Sequence, residues 1–139
     1  MSVGAICTRA VHTATRAERA REAARRMHQY KVGSLVVVDL EGKPVGILTD
    51  RDIAVKCVAE GMGGEVRVEE IMTRPVSTVH EDTSIDEAVK HMSGAQIRRL
   101  VVVDDDRSLV GLLALDDVLE LLVEEAEDIG RLLHAQMPA

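Results

Sequence analysis

The chain has no Trp and no Phe, and Tyr30 is its single tyrosine. That excludes a surface built on rows of stacking aromatics, the usual platform for single-stranded nucleic acid, and leaves any core to Val, Leu, Ile, Ala and Met. Cys7 and Cys57 are the only cysteines, too few for a disulfide framework or a four-thiolate metal site. The histidines, His12, His28, His80, His91 and His134, form no HExxH pair, so no metal site is expected. No apolar run approaches the roughly 18 residues that a membrane-crossing helix needs. Nor does the start carry the basic and then apolar regions of a secretory signal. These absences lead us to expect a cytoplasmic protein with reduced thiols and no membrane association. Catalysis lacks support too, since no nucleophile has a base at a recognisable spacing and no carboxylate pair is laid out for acid–base work.

What is present is an apolar fraction of 46% in 139 residues, with a formal charge of −7. The length suits one compact domain or two tightly joined small halves, and the acidic balance argues against nonspecific binding to phosphate backbones. The charge is unevenly spread. Residues 9–31 hold seven basic and two acidic side chains, whereas residues 116–139 hold seven acidic and one basic. Opposite patches of this kind suit pairing within the chain, orientation of subunits, or a charged partner.

An internal repeat decides the architecture. At a constant offset of 65 and without a gap, Ile6, Thr8, Arg9, Val11 and Thr13 match Ile71, Thr73, Arg74, Val76 and Thr78. The match continues through Glu22-Ala23 and Glu87-Ala88, Met27 and Met92, Leu35 to Asp39 and Leu100 to Asp104, Val45-Gly46 and Val110-Gly111, and Asp52 and Asp117. Each copy opens with a short extended segment, then shows helical spacing at Ala20, Ala23, Ala24 and Met27, or at Ile85, Ala88, Val89 and Met92. The β-branched runs Ser34 to Val38 and Arg99 to Val103 read as strands. Short polar turns then return the chain into a second, antiparallel strand, and a second helix follows from near Asp50 or Leu115. The expectation is an α+β fold of two beta-alpha-beta-beta-alpha units, 1–65 and 66–139, with Gly61 to Gly64 between them. Along the last helix, about Asp116 to His134, Val118, Leu122, Ile129 and Leu133 share one stripe, which covers the domain's own sheet or meets another subunit.

In Gly46-Ile-Leu-Thr-Asp-Arg-Asp52 an apolar strand ends in a hydroxyl, with a carboxylate three residues later. Thr49 can cap the new helix and, with the helix's free amides, receive an anion. Asp52, one turn on, can accept hydrogen bonds from vicinal hydroxyls. Phosphate beside a diol describes a nucleotide.

With Leu35-Val-Val-Val-Asp39 and the second copy downstream, this pattern resembles the cystathionine-beta-synthase (CBS) domain pair, over about Ile6 to Glu125. The stretch Leu48 to Lys56 is similar to stand-alone bacterial members. The resemblance implies tandem CBS domains packed by their sheets about a pseudo-twofold axis. It further implies a non-catalytic regulatory module, needing no cofactor, that binds AMP, ADP, ATP or S-adenosylmethionine in the clefts between the repeats. Carried over residue by residue, Thr49, Asp52 and the adjoining Arg51 fall at the phosphate and ribose. Val32 and Ile97 fall at the base, and Thr13 and Val79 on the segments that supply further contacts. Arg99, or Arg98 in its place, presents a guanidinium to phosphate. In the second copy Asp117 is kept, but Ala114 and Leu115 replace Thr49 and Asp50, so the clefts are expected to be unequal. A homodimer and a protein target acting in trans complete what the resemblance implies. A ligand-free structural dimerisation or interaction module is the main alternative, and a ligand-dependent regulator of nucleic acid a weaker one, since no helix-turn-helix, zinc finger or broad basic patch is present.

Overall fold

The computed structural model describes residues 1–136. The elements follow the repeat. Strand β1 (Thr13–Ala14), helix α2 (Ala20–Tyr30) and strands β2 (Ser34–Val38) and β3 (Pro44–Thr49) form the first copy, preceded by the single turn α1 (Val3–Ile6). The turn α4 (Val68–Ile71), strand β4 (Thr78–His80), helix α5 (Ile85–Ala95) and strands β5 (Arg99–Val103) and β6 (Leu109–Ala114) form the second. Each copy ends in a helix. In the first it is α3 (Asp50–Asp52), continued as one π-helical stretch over Ile53–Val58, and in the second it is the long α6 (Leu115–Gln136).

Each copy makes a three-stranded sheet, β1-β2-β3 or β4-β5-β6. The first strand runs parallel to the second, and the second antiparallel to the third. The repeat reaches fine detail. Both hairpins shift register at the same place, Val37/Val38 and Val102/Val103, and α2 and α5 both stop at a residue in the left-handed region, Lys31 and Gln96. The alanines of α2 allow its close approach: Ala20, Ala23 and Met27 are buried against Leu35, Val37 and Leu48. In the second copy Ala88 and Met92 pack on Leu100, Val102 and Leu113. Alternate residues of the central strands face the other way, and Val36, Val101 and Val103 form a third cluster with Val11, Val38, Val76 and Leu112 that joins the two sheets.

The sequence pattern does not anticipate how the two cores are closed. Val3 of α1, followed by Ile6 and Cys7, packs into the core of the second copy, and the amides of Val3 and Gly4 donate to Thr83 O and Glu81 O at 2.8 Å. Reciprocally, Val68, Ile71 and Met72 pack into the core of the first copy. The exchanged segments then lie along the third strand of the half they enter. Thr8 exchanges two backbone hydrogen bonds with Leu112, and Thr73 exchanges two with Ile47, at 2.8–3.1 Å.

This crossing explains the paired Val-Gly motif. A Cβ on Gly111 would stand 2.6 Å from Thr8 O and 2.8 Å from Cys7 Sγ, and one on Gly46 would stand 2.8 Å from Met72 Sδ. Glycine is present because another backbone passes there. Gly111→Ala is therefore expected to lower stability by about 1–3 kcal/mol. Gly94→Ala, in helix α5 where an added Cβ meets nothing within 4 Å, is expected to raise it by about 0.5–1 kcal/mol. Urea denaturation of the two variants beside the parent measures both, and equal midpoints for G111A and the parent would remove the crossing as the reason for the motif.

Candidate functional site

The turn from β3 into α3 is held by a reciprocal cap. Thr49 Oγ1 accepts from the Asp52 amide at 3.1 Å, and Asp52 Oδ2 accepts from the Thr49 amide at 2.9 Å. Asp52 is buried, and it is the one charged residue in the core among the described residues. Its carboxylate carries two further donors: Thr73 Oγ1 lies 3.0 Å from Oδ1 and Lys56 Nζ 3.1 Å from it. A buried carboxylate needs such partners, and Thr73 comes from the segment that crosses between the halves. The candidate ribose acceptor is thus also a fastening point of the fold.

The amides of this turn differ from the expectation that they are free. Those of Asp50, Arg51 and Asp52 donate to Gly33 O, Asp50 Oδ1 and Thr49 Oγ1, because so short a first turn folds back on its own side chains. What remains for an anion is the Thr49 hydroxyl proton together with cationic side chains. Arg51 is exposed on the same turn. Arg99, the first residue of β5, reaches across from the second copy: its Nη2 lies 3.8 Å from where a Cβ on Gly33 would stand, and Asp50 Oδ2 lies 3.2 Å from that point. The structure thus brings Asp50, Gly33 and Arg99 together from both halves.

The second copy differs. Asp117 Oδ2 accepts from the Ala114 amide at 2.8 Å, but Ala114 has no hydroxyl to reciprocate, and the positions matching Lys56 and Cys57 hold Leu121 and Leu122. Asp117 is half-buried, and its charge acts on Cys7. Burial pushes the Cys7 thiol up, and the charges of Asp117 and Glu81 add to this against Arg9. A cavity of about 290 Å³ lies at this turn, lined by Arg98, Arg99, Ala114, Leu115 and Asp116. Arg98 Nη2 stands 4.0 Å from Asp116 Oδ1 with both side chains exposed.

The remaining candidates divide. Val32 and Ile97, each just after the left-handed residue that ends its helix, are half-buried against the first and second cores. Thr13 is exposed, and its carbonyl accepts from Arg26 Nη2 at 3.0 Å. Val79 has its side chain in the second core, which leaves its backbone groups for contact. The residue that matches Thr13 is Thr78, which lines a cavity of about 320 Å³ between the halves with Val76, Val103, Lys43, Pro44 and Arg107. The offset of 65 gave that signal. Also unanticipated is the use of the lone aromatic, since Tyr30 stacks on His12 with ring centres 4.2 Å apart and planes 11° from parallel. Among the described residues no group of three or more His, Cys, Asp or Glu is placed to hold a metal ion.

Two sheets joined face to face, each leading into a strand-to-helix turn capped by an aspartate, define a tandem pair of like repeats. The CBS domain model matches residues 3–58 and again 68–124. This chain belongs to the CBS-domain family, whose members are generally non-catalytic regulatory modules. An uncharacterized protein of Methanopyrus kandleri is 41% identical over 122 residues, which cover 87% of this chain and 62% of that one. The CBS domain-containing protein YhcV of Bacillus subtilis is 38% identical over 117 residues, covering 84% and 82%. The chain therefore spans less than two thirds of the first relative. Among solved structures, the CBS domain pair of protein MJ0100 in complex with 5′-methylthioadenosine and S-adenosyl-L-methionine has a TM-score of 0.79 and 35% identity, over 90% of this chain and 98% of that one. No helix among the described residues is long and apolar enough to cross a membrane.

The strap around Thr13 has a pH-dependent part. Arg26 also donates to Glu18 Oε2 at 2.9 Å, and the Thr15 amide donates to the same oxygen at 2.8 Å. Burial alone works against the charged form, but these partners outweigh it and hold the Glu18 carboxyl below its ordinary value. A value lower in the folded than in the unfolded chain stabilises above about pH 4.5, and that contribution is lost as the pH falls through the lowered value. Glu18→Gln is expected to cost at most about 1 kcal/mol near neutral pH, the gap to the parent closing on acidification. Urea midpoints across the acid range test this, and a gap that stays constant would contradict it.

Proposed function

We propose that this chain is a sensor that holds an adenine nucleotide, or an adenosyl compound such as S-adenosylmethionine, between its repeats and passes the occupancy to a separate protein without altering the ligand. The observation that carries the reading is the reach of Arg99 to the Gly33–Asp50 turn. A guanidinium from one half at the turn that begins with Thr49 in the other suits a phosphate or carboxylate held by both. The adenosyl ligands named for the MJ0100 pair support the ligand class. A ribose diol would compete with Thr73 and Lys56 for the Asp52 carboxylate, which links binding to the crossing segment. Regulation requires that the ligand favour one arrangement of the halves over another, because tight binding alone shifts nothing. The first cleft, with its hydroxyl and carboxylate, is the stronger site, and the second relies on Arg98, Arg99 and Asp117. In this reading the units 1–65 and 66–139 clasp the ligand, and the protein, a bacterial member of the family, acts as a cytoplasmic homodimer.

One observation favours the rival reading of a ligand-free interaction module: every oxygen of the Asp52 carboxylate already has a partner. Titration calorimetry with AMP, ADP, ATP and S-adenosylmethionine separates the two. We expect saturable binding of at least one, and a gain of about 2.7 kcal/mol in stability at a hundredfold excess over Kd. Arg99→Gln, at an exposed position, should weaken binding about tenfold or more. No heat from any of the four at millimolar concentration would leave the ligand-free module as the answer.

A further inference from the structure

The two strand-to-helix turns carry different charge. Residues 50–56 hold two carboxylates, Asp50 and Asp52, and two cations, Arg51 and Lys56, whereas the matching residues 115–121 hold three carboxylates and no cation. At the offset of 65, Asp116 stands for Arg51, Glu120 for Val55 and Leu121 for Lys56. The arginines of the second copy do not cancel this difference. Arg99 reaches the first turn, close to Asp50 and Gly33, and Arg98 stands 4.0 Å from Asp116 with both side chains exposed. Arg9 and Arg74 match by the same offset, one on each crossing segment, so they do not distinguish the two turns.

Lys56 is where ligand charge enters the balance. Its Nζ lies 3.1 Å from Asp52 Oδ1 and 3.5 Å from Thr73 Oγ1, and its side chain is 46% exposed. The other carboxylate oxygen is held by the Thr49 amide, so a ribose diol on Asp52 competes with the ammonium for Oδ1. An ammonium displaced by an uncharged ligand loses its ion pair. One displaced by a nucleotide exchanges a carboxylate for a phosphate, and its flexible four-carbon stem lets it follow that phosphate. The second turn has no such exchange. Among the described residues the Ala114 amide is the one hydrogen-bond donor on Asp117, and Leu121 is half-buried and uncharged. There a phosphate meets carboxylates with no ammonium to offset them, whereas a positively charged group is drawn in.

We propose that Lys56 is the specificity-determining residue of the pair. With it the first cleft selects adenine compounds that carry phosphate, and with Leu121 in its place the second selects adenosyl compounds that carry a positive charge, such as the sulfonium of S-adenosylmethionine. The proposal rests on the sensor reading above and names the ligand class of each cleft. One chain then reads two ligands of opposite charge rather than two copies of one.

Titration calorimetry of the full chain with AMP, adenosine and S-adenosylmethionine tests this. In the parent we expect one AMP per chain, and S-adenosylmethionine still binding when AMP is saturating. Two AMP per parent chain would overturn the assignment. Lys56→Met nearly keeps the length of the side chain and removes its charge. It should weaken AMP about tenfold and leave adenosine unchanged or tighter, because adenosine offers the ammonium nothing in exchange. If the Lys56–Asp52 pair only supports the fold, both ligands weaken alike, and equal losses would overturn the assignment. Leu121→Lys puts an ammonium four residues after Asp117, as Lys56 stands to Asp52, on a stem that suits a half-buried position. It should raise the stoichiometry of AMP from one to two, and a value that stays at one would overturn the assignment as well. No binding of any probe by the parent would overturn the sensor reading itself, a result distinct from binding whose selectivity the two variants fail to move.

Discussion

The structure depends on an exchange. Each half of the chain closes its core with the short segment that precedes the other half: Val3, Ile6 and Cys7 enter the second core, and Val68, Ile71 and Met72 enter the first. Fully burying an aliphatic side chain contributes about 1.5–3 kcal/mol, so Val3 on one side and Val68, Ile71 and Met72 on the other are a large share of what a unit of this size can command. Neither sheet is complete without its guest, and the valine cluster between the sheets then sets their relation. Separation of the halves and unfolding are for this reason close to the same event.

The exchange also explains why the candidate site is where it is. Thr73 leaves the first core and lies along Ile47, and its hydroxyl meets the carboxylate of Asp52. Thr8, its counterpart, lies along Leu112 in the same way, but the turn it passes has Ala114 where the first has Thr49. Two nearly identical frames therefore carry unequal chemistry: a fully capped turn with three donors on its carboxylate on one side, and a half-capped turn with arginines on the other.

Much of this was legible in the sequence. The repeat at 65 gave the order of elements, and the runs Ser34 to Val38 and Arg99 to Val103 are the observed central strands, because β-branched residues on a two-sided buried strand leave few other readings. Capping at Thr49 followed from its position before Asp52. The guest role of Val3 and Val68 was not legible, because it is a contact between distant segments with no local period. The partners of Asp52 were missed for the same reason: Lys56 is a turn away, but Thr73 is brought in only by the crossing. The stripe on the last helix was readable as a stripe, whereas only coordinates reveal that Val118 alone of it is buried. Val79 lies one position past Thr78, the repeat match of Thr13, and in a strand one position reverses the face, so its side chain joins the second core.

The stack of Tyr30 on His12 carries an experimental consequence. With no tryptophan or phenylalanine in the chain, its near-ultraviolet absorption and intrinsic emission arise from one phenol ring, two residues before Val32 at the entrance to β2. The protein thus contains a native optical reporter at a single known address, and any rearrangement of that corner of the first repeat can be followed by light without attaching a dye.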